Sequence, residues 1–260
     1  MGRIAVVVRK EIAEIAANRG LMASLSLMPV VVIASSLGVL AAYSFGDDPA
    51  FRAMAAELRP QGFEGTPQQV LLAATVRYAM GLFLMMPIFL PVPVASQSVA
   101  GEKERRTLEP LLASPITAFE LMLGKSLSCV VPVLAITFVA FAVFAVGANL
   151  IAGRHFHALL VPDALFLFTV FVLAPLFSLF GTALTVLISA KVGDTRLAQT
   201  LSGLSVMVVI GVSTVQFFGL LGGGWSGFVA MALVALVGDL AMLVAAARLF
   251  DREALLTRWG

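Results

Sequence analysis

Six long apolar runs, separated by short polar stretches, divide the chain: Leu21–Tyr43, Tyr78–Val99, Ser126–Leu150, Ala164–Ala190, Leu201–Leu221 and Trp225–Ala247. Each approaches or exceeds the ~20 apolar residues that a helix needs to cross the hydrocarbon of a bilayer. The pattern predicts an all-α membrane protein with six transmembrane helices. Only "GLLGGGWSG" separates the fifth run from the sixth. Its Gly219, Gly222, Gly223 and Gly224 predict a tight hairpin rather than one overlong helix. Residues 44–77 form an outer loop, the only sizeable one on its side, in which "PAFRAMAAELR" predicts a short helix from Pro49 to Arg59. Ahead of the first run, Ile4, Val8, Ile12 and Ile15 recur at helical spacing, with Arg3, Lys10, Glu11, Glu14 and Asn18 set on another face. Residues 1–19 therefore read as an amphipathic interfacial helix, after which the chain turns at Gly20.

Composition supports the division into spans. Hydrophobic residues make up 60% of the chain, against ~45–50% for a soluble domain. The excess faces lipid, and the 260 residues form one transmembrane domain rather than several soluble ones. The lone Cys129 lies inside an apolar run and excludes an internal disulfide framework; it reads as a small buried apolar residue. The placement of charge is more informative than its total. Arg3, Arg9, Lys10, Arg19, Lys103, Arg105, Arg106, Lys125, Lys191, Arg196, Arg248, Arg252 and Arg258 fall on one side of a six-span topology. Arg52, Arg59, Arg77 and Arg154 fall on the other. The positive-inside bias predicts both termini in the cytoplasm, in keeping with an even number of spans.

One polar stretch breaks the apolar pattern: "EKERRTLEPLLASPIT", residues 102–117. Thr107 can cap a short helix, and Pro110 falls in its first turn, where a missing N–H costs little. Leu108, Leu111 and Leu112 then share a face, and Ser114-Pro115 ends the helix. Exposed leucines rimmed by Glu102, Lys103, Glu104, Arg105, Arg106 and Glu109 mark a surface that seeks a partner.

"GEKERRTLEPLLASPIT" resembles the cytoplasmic loop of type-2 ATP-binding-cassette (ABC-2) exporter permeases, which read Glu-Lys-Glu-Arg-x-x-Thr-Leu-Glu-x-Leu-Leu-x-[Thr/Ser]-Pro. "RKEIAEIAANRG" and "ARLFDREALLTR" are similar to the family's amphipathic lead-in and charged C-terminal exit. The resemblance implies a permease of the cytoplasmic membrane whose loop helix is a coupling helix seated in a separate ATPase subunit. It implies coupling roles for Thr107, Leu108, Glu109, Leu111, Leu112 and Ser114, with Glu102, Glu104 and Arg105 at the same interface. It also implies two ATPase copies carrying ATP and Mg²⁺, and an exported hydrophobic or amphipathic substrate or ion. Because six spans are few to line a pathway, a second copy of this chain is expected about a two-fold axis. Membrane lipid is the remaining expected partner, and nucleic acid is not one.

The residues themselves offer no ATPase and no cofactor site. "FELMLGKS" ends like a phosphate loop but has Phe119 where the first glycine must let the backbone curl round phosphate. "GGGWSG" matches a dinucleotide pattern yet follows no strand, and neither H-E-x-x-H nor G-x-S-x-G occurs. No catalytic residue or metal site is expected; His155 and His157, even with Asp163, fall short of a ligand set. Within the spans, Asp239 has two readings: a cation, proton or substrate contact, or a hydrogen bond to a span-five Ser or Thr. Gln97 stands at the inner end of span two, where it can line a pathway or meet a partner. Pro87, Pro91 and Pro93 predict a bent or partly unwound span two, either a hinge or a static kink. An ion channel or ATP-independent carrier built on Asp239 is the competing function, and it leaves loop 102–117 without a purpose.

Overall fold

The computed structural model describes residues 3–46, 48–58, 65–104, 118–156, 159–192, 194–217 and 225–249. Among these the secondary structure is entirely helical. In chain order the helices are α1 (Arg3–Ala17), α2 (Arg19–Phe45), α3 (Pro49–Leu58), α4 (Pro67–Phe89), α5 (Pro91–Glu104), α6 (Ala118–Ala152), α7 (Ala164–Phe168), α8 (Ala174–Lys191), α9 (Thr195–Phe217) and α10 (Trp225–Leu249).

Five stretches among the described residues are long and apolar enough to cross a membrane: Arg19–Phe45, Pro67–Gln97, Leu123–His155, Ala164–Lys191 and Trp225–Ala245. They coincide with the first, second, third, fourth and sixth predicted spans. The fifth predicted run falls on α9, Thr195–Phe217. The glycine-rich turn lies outside the described residues, but α9 ends at Phe217 and α10 begins at Trp225, so the two runs are separate helices.

The second span begins eleven residues earlier than Tyr78, the predicted start. Thr66 and Gln69 form a reciprocal capping box around Pro67, which occupies the first helical turn. The predicted 44–77 loop is correspondingly shorter, and it contains α3, whose bounds agree with the expected Pro49–Arg59 helix to one residue. The third span also starts early. α6 has 35 residues, ~52 Å of helix against ~30 Å of hydrocarbon, so it extends beyond the bilayer. Between α7 and α8, Thr169–Leu173 form a π-helical turn, in which the Ala174 N–H reaches back to Thr169 O. Pro175 follows directly; lacking an N–H, it cannot hold the ordinary α register there.

α4 and α8 form the centre of the bundle. α4 packs on α2, α3 and α8, while α8 also meets α5, α6, α9 and α10. α4 buries most of its surface, including Val70, Leu72, Val76, Met80, Phe83 and Ile88, and exposes Arg77 and Tyr78. Its Phe83 stacks on Phe141 at 4.8 Å between ring centroids and lies 4.9 Å from Phe144, both on α6. α2 buries only the stripe Leu21, Leu25, Pro29, Val32, Ser36, Leu40 and Ser44, and leaves Leu27, Val30, Val31 and Val39 exposed. Such a helix suits lipid rather than water. A second apolar cluster joins Leu84, Ile88 and Val92 to Phe177 of α8, Val206 of α9, and Phe228, Met231 and Ala235 of α10.

Candidate functional site

The 102–117 loop leaves the bundle from α5 and returns through α6. Residues Arg105, Thr107, Leu108, Glu109, Leu111, Leu112 and Ser114 lie outside the described residues, and so does the predicted coupling helix. The stems on either side are described. Glu102 belongs to the last turn of α5. Glu104 is exposed, and its carboxylate accepts a 2.7 Å hydrogen bond from Thr195 Oγ1 at the start of α9. Gln97, half-buried, accepts from Asn18 Nδ2 at 3.5 Å. Asn18 is the N-cap of α2, accepting from the Leu21 N–H. The upstream stem is thus tied both to the α1–α2 joint and to α9.

The downstream stem is tied more firmly. α1 lies against α6, with Gly124 leaving room for Val7: a Cβ at Gly124 would sit 2.9 Å from Val7 Cγ1. This approach brings Lys125 Nζ to 3.1 Å from Glu11 Oε1, with side-chain exposures of 1% and 8%. Glu11 is not on the polar face that the sequence assigns it. The buried stripe of α1 runs Val7, Glu11, Ile15, spaced by four, and the half-buried Ile4, Val8 and Ile12 flank it. The signal was available: a carboxylate inside an apolar helical stripe asks for a cation. Lys10 meets Glu14 at 3.3 Å on the exposed side, an ordinary i,i+4 pair. Ser128 and Cys129 are buried one turn along α6 from Lys125, Ser128 Oγ donating to the Lys125 carbonyl at 2.7 Å. The thiol of Cys129 is inside the bundle, as its apolar run implies.

The three prolines of span two lie about one interruption. Leu90 alone separates α4 from α5, yet it keeps αR backbone (φ −59°, ψ −31°), and its N–H still reaches Met86 O at 2.8 Å. Pro91 and Pro93 stand in the first turn of α5, where absent donors cost least. Pro87 is inside α4 and deprives the Phe83 carbonyl of its usual donor. The span is broken without being unwound.

Asp239 is 7% exposed on α10, and among the described residues neither carboxylate oxygen has a hydrogen-bond partner. His155 belongs to a different end of the molecule. Its ring Nε2 lies 3.1 Å from Ser44 O, its carbonyl accepts from Gln69 Nε2 at 2.7 Å, and Arg154 also donates to Ser44 O. These contacts fasten α2, α4 and α6 together. His157 lies outside the described residues, and Asp163 accepts from the Phe166 N–H as the N-cap of α7.

The arrangement is a helical membrane domain with polar ties, one of them buried, at the stems of one polar loop. No match is found among curated proteins. The sequence matches the family described as ABC-2 family transporter protein over residues 20–234, a range that includes α2 to α9, the loop and Lys125, but stops short of both Glu11 and Asp239. The chain belongs to the ABC-2 transporter family, whose members are membrane subunits working with an ABC ATPase.

Proposed function

We propose that this chain is the permease subunit of an exporter of the cytoplasmic membrane, driven through residues 102–117 by a separate ATPase. The observation that carries this reading is the anchoring of both loop stems: α5 through Glu104–Thr195 and Gln97–Asn18, α6 through Lys125–Glu11. A loop pushed by an ATPase does work only if its ends are fastened to the helices that must move. Here the pull reaches α1, α2, α6 and α9 together. The Leu90 interruption lets α5 tilt against α4 without breaking the central packing of α4.

In this reading α9 is the sixth span, both termini are cytoplasmic, and α1 lies on the inner leaflet. The whole chain is a single transmembrane domain. Two copies of the permease and two ATPase subunits form the transporter. ATP and Mg²⁺ belong to the ATPase, and Leu108, Leu111 and Leu112 enter its groove beside Glu102, Glu104 and Arg105. The exported molecule is an ion or a hydrophobic or amphipathic compound. An ATP-independent carrier needs none of these stem contacts.

Co-expression with an ABC ATPase tests the proposal. The purified complex should hydrolyse ATP faster than the ATPase alone, and Leu111→Asp with Leu112→Asp should abolish both association and stimulation. An ATPase that binds the doubly substituted chain as well as the wild type would refute the assigned interface.

A further inference from the structure

At the end of the bundle away from loop 102–117, the first two spans come together. α2 stops at Phe45, α4 starts at Pro67, and α3 lies between them in the chain and packs on α4. A cavity of about 330 Å³ opens there. Gly46 and Asp48 line it from the α2–α3 turn, Phe51 and Arg52 from α3, and Gln68 and Leu71 from the start of α4. Part of the wall is apolar. Phe51 meets Tyr43 edge-on at 4.8 Å between ring centroids, and it packs with Met54 on the cluster of Ala55, Val70 and Leu71. Gly46 lets the turn close over this ring, since a Cβ there would stand 2.8 Å from Phe51 Cε2.

The rest of the wall is polar and carries both signs of charge. Asp48 and Arg52, four residues apart and both exposed, bring a carboxylate and a guanidinium to one cavity. Asp48 Oδ1 accepts from the Ala50 N–H at 2.8 Å, which leaves Oδ2 for a further donor. Gln68 adds a side-chain amide, and it stands in the first turn of α4, where backbone N–H groups lack intrahelical acceptors and the helix dipole favours an anion. An acceptor for a cation and donors for an anion therefore sit side by side over an aromatic and aliphatic surface. The volume is at the small end of ligand sites, enough for a compact polar group rather than a whole amphiphile. The place is the level at which two membrane spans end, where lipid headgroups lie.

We propose that this cavity binds a zwitterionic phosphodiester headgroup that carries a primary amine. The ammonium meets Asp48, the phosphate meets Arg52 and the Gln68 amides, and the apolar remainder follows Phe51 and Leu71. A simple cation would meet Arg52 and a simple anion would meet Asp48, so the pair selects a molecule with both charges. The guanidinium fork suits the oxygens of a phosphate. The carboxylate needs an N–H donor, which a trimethylammonium group lacks. That the headgroup comes from the outer leaflet rests on the topology proposed above; the test uses the chain in detergent and holds whichever way it faces, so the two readings fail separately.

Native mass spectrometry of the full-length chain, titrated with dioctanoyl phosphatidylethanolamine, phosphatidylcholine or phosphatidylglycerol, provides that test. Phosphatidylethanolamine should occupy one site at concentrations about tenfold below the other two, the worth of one charge-assisted hydrogen bond. Asp48→Asn keeps an oxygen to cap α3 and removes only the charge. It should bring phosphatidylethanolamine level with phosphatidylcholine and strengthen phosphatidylglycerol, which has no cation. Arg52→Gln should weaken all three by about tenfold. Gln68→Trp, which fills the cavity and leaves both charges, should remove the site. Glycerophosphoethanolamine, the same headgroup without acyl chains, separates the sources: displacement of the lipid at equal concentration identifies a soluble ligand, and no displacement a membrane lipid. Equal occupancy by the three lipids, or phosphatidylethanolamine occupancy unchanged in the Asp48→Asn, Arg52→Gln double variant, would overturn the site.

Discussion

Among the described residues two carboxylates are buried, and their surroundings differ. Glu11, where α1 meets α6, has Lys125 at 3.1 Å and serves as a fastening. Asp239, among α8, α9 and α10, has no partner for either oxygen among the described residues. The same functional group thus does mechanical work in one place and stands without a partner in the other. A buried ion pair adds little net stability over an apolar pair of equal volume, yet it is severely damaged by the loss of one member. An unpartnered carboxylate has no such dependence, because neutralising it removes a cost.

Lys125→Ala gives the largest expected effect. It removes the buried partner of Glu11, leaving Lys10 at 4.0 Å, and should cost ~3–5 kcal/mol, read from reversible unfolding of the solubilised chain. The double substitution Glu11→Gln, Lys125→Met should recover most of that loss. Asp239→Asn should show no loss, or a gain, in the same assay. If Lys125→Ala and Asp239→Asn behave alike, the contrast between the two carboxylates is wrong.

Gly181→Ala is next. The added methyl group meets the Ile88 backbone rather than a flexible side chain, so overpacking of ~1–3 kcal/mol is expected. Since Gly181 lies beside the Leu90 interruption, the Glu11–Lys125 junction should remain intact in this variant. The smallest effect belongs to Asn18→Ala, which removes the α2 cap and the bond to Gln97; about 1 kcal/mol is expected from the cap.

The spans were legible because hydropathy is a bulk property of ~20-residue windows, and the bilayer enforces it. α3 was also legible, since Pro49 marks a helix start. The beginning of α4 was not, because Gln68, Gln69 and Arg77 dilute the apolar run; the cap signal, Thr66-Pro67 followed by Gln69, was the better guide. α6 was read too short for a similar reason: Glu120 and Lys125 fall outside an apolar count although they continue the helix. The π turn at Thr169–Leu173 leaves hydropathy unchanged and was hinted at only by Pro175. Glu11 was assigned by residue type, when its place in the Val7–Ile15 stripe says more. Asp239 was conspicuous from the sequence as a carboxylate in an apolar helix.

The central claim is that residues 102–117 grip a separate ATPase from the cytoplasmic side. Leu111→Cys, in a Cys129→Ala background, tests it by site-specific cross-linking to a co-expressed ABC ATPase in intact cells. The account predicts an ATPase cross-link together with protection from a membrane-impermeant thiol reagent added outside. Labelling by the external reagent with no cross-link would contradict it.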